Sequence, residues 1–325
     1  MFKRHLRRLK ALLASRKLFR NWLSAGVKYY LVKGGLLHDD NIEVVCRDGS
    51  KSLIPVRIYA VLAYDYYDGY LMKYDCRNGI ATYVNVQVPI EEIRVRSSVW
   101  LAIEEGWAYD MVNRFWFKNG IRFRHMYRTV PEIFDLGVYA SLDVKDKVVI
   151  DVGAFVGDSA IYFALKGAKR VIAVEPHPGA FTEMLENIKL NKMENIIIPV
   201  NAGLASKSGK VCLEKSFDNS DTLVMYHGLG DCINAISAVT LGELISRFGV
   251  DPDNAVLKMD CEGCEYDVIL NDYEHIRMFK ELVFEYHPYI VNKPLDDLLN
   301  MLSRDFRCVV IKGDKNLGIV HCIRK

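Results

Sequence analysis

The stretch from Val148 to Asp158 constrains the fold more than any other part of this chain. Val148-Val149-Ile150-Asp151-Val152 is a short apolar run carrying one acid, followed by Gly153 and Gly157 and then by Asp158-Ser159 ahead of a helical pattern. An apolar run of this length bounded by turn residues reads as a buried parallel strand. The glycines allow a tight turn and let a ligand lie against the backbone. Asp158 or Ser159 can cap the helix that follows. Asp151 lies at the carboxyl end of the strand, where open α/β sheets bind ligands.

The spacing is Asp-x-Gly-x-x-x-Gly, not the G-x-G-x-x-G that brings a pyrophosphate onto a helix N-terminus. An acid directly before the glycines repels a pyrophosphate and suits a ligand with a cationic amino-acid part. The pattern resembles the first motif of S-adenosylmethionine (SAM) dependent methyltransferases. The bland alternative is a ligand-free glycine turn with Asp151 as a capping acid.

Around this stretch the βα alternation is regular from residue 144. A helix over 158–166 ends at Gly167 as its C′ residue. Val171–Glu175 reads as the next strand, and Pro178 opens a helix to about Asn191. Ile196–Asn201 is a third strand, with Pro199 out of character. Residues 210–214 and 222–226 read as a strand pair, 235–239 as a further strand and 241–248 as a helix. Ala255–Asp260 is a strand followed by a helix from about Cys264 to Leu270, and Leu282–His287 is another strand. After a helix near 295–303, strands at 306–311 and 317–323 form an antiparallel hairpin.

The N-terminal region differs. Of the 325 residues, 43 are Lys or Arg and 41 are Asp or Glu, but residues 1–35 hold ten of the basic ones and no acid. The rest of the chain therefore carries 33 basic against 41 acidic residues. Leu6, Leu9, Leu12, Leu13, Phe19, Trp22 and Leu23 recur at helical spacing over 2–31, giving a basic helical segment. Its apolar face is expected to dock on the protein and its basic face to be solvated; an anionic membrane surface stays open as the other partner. Residues 42–46, 56–62 and 81–86 read as strands, with turns at Arg47–Ser50 and Arg77–Gly79. Aromatic and basic residues interleave over 97–140, but without a nucleic-acid-binding signature they read as packing, and nucleic acid is not expected as a partner. The region 1–140 is thus a basic helix and a β-rich accessory region, and 141–325 is a second domain. No run of eighteen apolar residues indicates a transmembrane helix, and no signal-peptide core is present, so a cytoplasmic location is expected. The eight cysteines read as buried free thiols by default. Cys261-x-x-Cys264 has no second pair to complete a zinc site, so no metal is assigned.

The strand ends carry the chemistry. Glu175 can accept two hydrogen bonds from a ribose diol, or cap the helix at Pro178. Asn201 lies where an adenine edge would lie, or is a simple turn residue. Asp260, Glu262 and Glu265 place three carboxylates within six residues, and Glu285 and His287 end the neighbouring strand on one face. A histidine beside carboxylates suits a general base for a hydroxyl; capping and packing are the alternative roles.

Val149–Ala154 with Gly157-Asp158-Ser159, Ala173–Pro176, Leu257–Gly263 with Glu265, and Glu285 with His287 together resemble FkbM-type SAM-dependent methyltransferases. Cys261 and Cys264 stand where that family is expected to have apolar or small residues. The resemblance implies a class I methyltransferase fold, a Rossmann-like, mostly parallel seven-stranded α/β sheet closed by an antiparallel hairpin, with SAM as cofactor. It also implies methyl transfer, mostly to hydroxyl oxygens of sugars or natural products. By resemblance, Asp151, Gly153 and Gly157 would hold the amino-acid end of SAM and Glu175 the ribose, with Ala154, Asp158, Pro176 and Asn201 in the same cofactor set. Asp260, Glu262, Glu265, Glu285 and His287 would line the acceptor side, with the base among them unassigned and a divalent cation between the carboxylates left open. The rivals are an NAD-dependent oxidoreductase, opposed by the missing third glycine and by Asp151, and a non-catalytic adenosine-ligand-binding module.

Overall fold

The computed structural model describes residues 2–93, 98–213, 226–229 and 235–325. The chain divides into two compact units, Met1–Pro131 and Glu132–Lys325.

In Met1–Pro131 the basic segment forms two helices, Phe2–Ala14 and Trp22–Lys33, separated by a 3₁₀ turn over Ser15–Lys17. Ser15 Oγ donates to Leu12 O at 2.6 Å, and the chain turns so that Phe19, fully buried, bridges to Cys46. The expected apolar stripe divides: Phe19 is buried and Leu12 and Trp22 are half-buried, but the rest is not. Leu6, Leu9, Leu13 and Leu23 are 43, 53, 42 and 57% exposed, while Ala11, Leu18 and Phe19 are buried. The strand expected at 56–62 is a helix, Val56–Tyr67. Ile58, Leu62 and Asp65 lie on its buried face at helical spacing, so packing overrides the strand preference of Val56, Ile58 and Val61. Asn41–Val45 and Lys51–Pro55 form a hairpin across the Arg47–Ser50 turn. Leu71–Asp75, Ile80–Tyr83 and Val86–Pro89 make one three-stranded sheet, and Ala108–Asp110, Phe115–Lys118 and Ile121–Phe123 another. Trp107, Trp116 and Phe123 are core residues.

Glu132–Lys325 is built on seven strands. They are β1 (Val148–Val152), β2 (Arg170–Val174), β3 (Ile197–Val200), β4 (Ala255–Met259), β5 (Glu281–Tyr286), β6 (Phe306–Gly313) and β7 (Gly318–Arg324). Their order is β3-β2-β1-β4-β5-β7-β6, all parallel except β7, which runs antiparallel to both neighbours. This is the class I methyltransferase sheet. β1 and β4 are apolar almost throughout because helices cover both faces of the sheet. Pro199, which cannot donate to a ladder, is tolerated because β3 is an edge strand. Between β1 and β2 lies α1 (Asp158–Leu165), and between β2 and β3 lies α2 (Pro178–Leu190). The cap of α1 is Gly157 in the left-handed region, not Asp158 or Ser159 as expected. α3 (Leu241–Phe248) opens with a capping box between Thr240 and Glu243. α4 (Cys264–Asn271) follows β4, and α5 (Leu295–Leu302) precedes β6. Between β3 and α3, Gly203–Leu204, Gly209–Leu213, Tyr226–Leu229 and Ala235–Val239 form a separate small sheet; residues 214 and 222–225 of the expected pair lie outside the described residues.

The free-thiol expectation is corrected as well. Cys46–Cys76, Cys261–Cys264 and Cys308–Cys322 are disulfides, and no cysteine is free among the described residues. Cys308 and Cys322 stand opposite each other on β6 and β7, a pairing set by strand register and invisible to composition. The cysteines therefore no longer argue for a reducing compartment. No helix among the described residues is long and apolar enough to cross a membrane.

Candidate active site at the strand tips

The ends of β1, β2, β4 and β5 converge at one edge of the sheet, and the predicted residues fall into two groups there. In the first, the loop after β1 leans over β2: the Gly153 and Ala154 N–H groups both donate to Val174 O, at 2.9 and 3.1 Å. Gly153 has φ 72°, and a Cβ there would lie 1.7 Å from Asp260 O. Only glycine permits the β1 and β4 loops to touch. Gly157, at φ 84°, packs on Met184 of α2, 2.9 Å from the Cβ it lacks.

Asp151 is fully buried. Ser159 Oγ donates to one of its oxygens at 2.7 Å, and Lys258 Nζ lies 3.0 Å from the other. Lys258 is itself buried and donates to Gly153 O at 2.7 Å and Val152 O at 3.2 Å. Burial opposes the charge on Lys258, but Asp151 and Asp260 outweigh it and its pKa lies above the ordinary value. As placed, Asp151 locks the glycine loop through Lys258 instead of facing open space. Asp158 is buried in the first turn of α1.

Glu175 is buried at the end of β2. It accepts from the N–H groups of Phe155 at 2.8 Å and His177 at 2.7 Å. Burial pushes its carboxyl up to about 7, with the two backbone donors holding it partly down. Asn201 is exposed and donates from Nδ2 to Glu175 O at 2.9 Å. Beside these tips is a narrow apolar pocket whose walls include Val174, Pro176, Ala202, Leu204 and the Cys261–Cys264 disulfide.

The second group stands on β4, α4 and β5. Glu265, fully buried, accepts from Gly263 N at 2.9 Å and from both N and Nδ1 of His287 at 3.0 Å. It thereby orients the histidine and faces no open space. His287 Nε2 points to Glu262 Oε2 at 3.5 Å and Glu285 Oε2 at 4.0 Å. The Tyr139 hydroxyl donates to Asp260 Oδ2 at 2.7 Å. Burial opposes the charge on His287, but the hydrogen bond and charge of Glu265, then Glu262 and Asp260, raise its pKa to about 10. Burial raises Glu262 to about 7. Burial and then the Asp260 charge raise Glu285 to about 9. For Asp260, burial is outweighed by Lys258, His287 and Tyr139, and its carboxyl lies below the usual range. Asp260 is the ionised member of this cluster and Glu262 titrates near neutrality, so the pair can take a proton from a nearby hydroxyl.

Sequence reading missed two residues here. Lys258 was visible as a lone cation inside an apolar strand, a signal for a buried partner. Tyr139 lies in a stretch with no motif, and nothing local marks it.

A family model described as a methyltransferase FkbM domain matches residues 151–308. The "hexuronic acid methyltransferase AglP" of Haloferax volcanii is 29% identical over 177 residues, 54% of this chain and 70% of that protein. An uncharacterized protein, 158B, of Sulfolobus islandicus rod-shaped virus 1 is 28% identical over 184 residues, 57% of this chain and 85% of that one. Among solved structures, the methyltransferase FkbM from Methylobacillus flagellatus KT aligns with TM-score 0.41 and 16% identity, over 57% of this chain and 45% of that chain. This chain thus spans less than half of that neighbour's length. SMU.1697c, a putative methyltransferase from Streptococcus mutans in complex with SAH, aligns with TM-score 0.39 and 11% identity, over 60% of this chain and 98% of that chain. Over residues 151–308, just under half of its length, this chain is therefore similar to methyltransferase FkbM domains.

Proposed function

We propose that this chain is a SAM-dependent O-methyltransferase acting on a hydroxyl of a sugar, glycan or other small molecule. The observation that carries the reading is the juxtaposition at one sheet edge of the Gly153 loop and Glu175 with a carboxylate–histidine cluster ending in His287. The first group fits SAM. Gly153 lets the loop turn where any Cβ would meet Asp260 O, the Glu175 carboxylate can accept from a ribose diol, and Val174 and Leu204 give the neighbouring wall an apolar character. When bound, SAM supplies an activated methyl group on a sulfonium.

What the chain contributes is alignment and a proton acceptor. Transfer to the acceptor oxygen would break the carbon–sulfur bond, its electron pair leaving with the sulfur. The hydroxyl proton passes to a carboxylate of the Asp260 and Glu262 pair. The sugar class is supported by the likeness to the hexuronic acid methyltransferase.

The test is calorimetric titration with SAM and NADH, followed by incubation with SAM and a panel of uronic acid and hexose glycosides. SAM binding and an alkali-stable methyl ether support the reading. Tight NADH binding without SAM binding refutes it, and an alkali-labile methyl ester as the sole product refutes a hydroxyl acceptor.

A further inference from the structure

His287 is held in a way that methyl transfer alone does not require. Its ring is buried, and Nδ1 lies 3.0 Å from Glu265 Oε1, a carboxylate oxygen that also accepts from the His287 backbone N–H. A carboxylate can only accept here, so Nδ1 carries the hydrogen and Nε2 is the atom turned towards Asp260 and Glu262. A carboxylate fixing one imidazole nitrogen while the other faces a group of acids is the arrangement metal-ligating histidines adopt. Glu262 Oε2, opposite Nε2 at 3.5 Å, is buried and has no hydrogen-bond partner. One atom each from Asp260, Glu262 and His287 lie within 4.8 Å of one another. On an octahedral cation with bonds of about 2.1 Å, neighbouring ligand atoms are about 3 Å apart and opposite ones about 4.2 Å. The His287–Glu262 pair at 3.5 Å lies between those two spacings, and side-chain adjustment would close the set.

Charge points the same way. Asp260 and Glu262 face one imidazole, and the neighbouring buried Lys258 is engaged by Asp151 and the Gly153 carbonyl. The nearby thiols are tied up as Cys261–Cys264, so the donors are two carboxylates and one imidazole. Oxygen donors with one imidazole suit a hard to borderline ion, Mn²⁺ above all, and Mg²⁺ after it.

We propose that Asp260, Glu262 and His287 bind a divalent cation, with Glu265 as positioning residue, and that the cation holds the acceptor oxygen in line with the methyl donor. The site stands on its own geometry; its role rests on the methyl-transfer reading. Two carboxylates balance the two charges of the ion, and its remaining positions are open to water or to oxygens of a sugar.

The test uses the full chain freed of metal by a chelator. Mn²⁺ is titrated in and followed by electron paramagnetic resonance, with SAM titrated in parallel. One equivalent of Mn²⁺ should bind. Glu262→Gln and His287→Ala should each weaken it by at least roughly tenfold, and Glu265→Gln by about 10–100-fold. His275→Ala, a surface histidine on the Tyr273–Ile276 turn, should leave it unchanged. SAM affinity and the far-ultraviolet spectrum report folding; if Glu262→Gln does not fold, Glu262→Asp, which keeps the charge but shortens the reach, replaces it. The proposal is overturned if no Mn²⁺, Mg²⁺ or Zn²⁺ binds, or if binding survives Glu262→Gln and His287→Ala in folded protein. Methyl transfer that persists at full rate in chelator, without a Mn²⁺ signal, sinks the cation and leaves the enzyme reading intact. Mn²⁺ binding without SAM binding does the reverse.

Discussion

Lys258→Met tests how the cofactor loop is held. The change keeps the side chain's length and apolar stem and removes the ammonium. It leaves Asp151, fully buried, with Ser159 Oγ as its remaining polar neighbour, and removes the donor to Gly153 O and Val152 O. Two unit charges 3.0 Å apart attract by about 5 kcal/mol at an effective dielectric constant of about 20. Breaking one partner out of a buried pair costs about 3–5 kcal/mol. For a unit of this size that corresponds to a fall of about 6–20 °C in melting temperature. The assay is urea and thermal unfolding of wild type, Lys258→Met, Asp151→Asn and the double variant. The double variant should recover part of the loss, because removing both charges leaves none uncompensated. SAM affinity should fall in Lys258→Met, since Gly153 loses its tether. A single variant within about 1 kcal/mol of wild type, or strict additivity in the double, would refute the lock.

Three further outcomes are expected. Glu175 titrates near 7 when folded and near 4.5 when free, so the native state holds a proton between those values that the unfolded chain has lost. Stability should therefore fall as pH rises from about 4.5 to 7, by up to about 3 kcal/mol; Glu175→Gln should flatten that slope in unfolding measured from pH 4.5 to 8 and should weaken SAM binding. His287→Ala should leave SAM affinity nearly unchanged and lower methyl transfer by about 10–100-fold, the loss of a group that orders the carboxylates, and a wild-type rate at saturating SAM and acceptor would displace the acceptor site from this cluster. Because Leu6, Leu9 and Leu13 are exposed beside basic residues with no acid in the first 35, the full chain should sediment with anionic but not neutral vesicles; equal sedimentation after Leu6→Asp and Leu9→Asp would show that the apolar face takes no part.

What the sequence by itself determined here is what depends on near neighbours. The apolar run of β1, the two glycines, Pro178 at the start of α2 and the capping box of α3 act over a few residues through backbone dihedrals and local hydrogen bonds. The acids at the strand ends were legible because parallel strands must end at one edge of the sheet. What each acid does was decided by partners distant in the chain. Lys258 reaches Asp151 only because β4 lies beside β1, residue 258 against residue 151 in register. Glu265 turns inward because β5 delivers two donors of His287 to it, and Tyr139 meets Asp260 from a segment without any motif. The same limit explains the errors. Val56–Tyr67 is helical because its buried face packs at helical spacing, and Cys308 pairs with Cys322 because a hairpin register sets them opposite. Dihedral preferences and spacing are written along the chain. The charge state and direction of a buried side chain depend on the field of groups that only folding brings within a few ångströms.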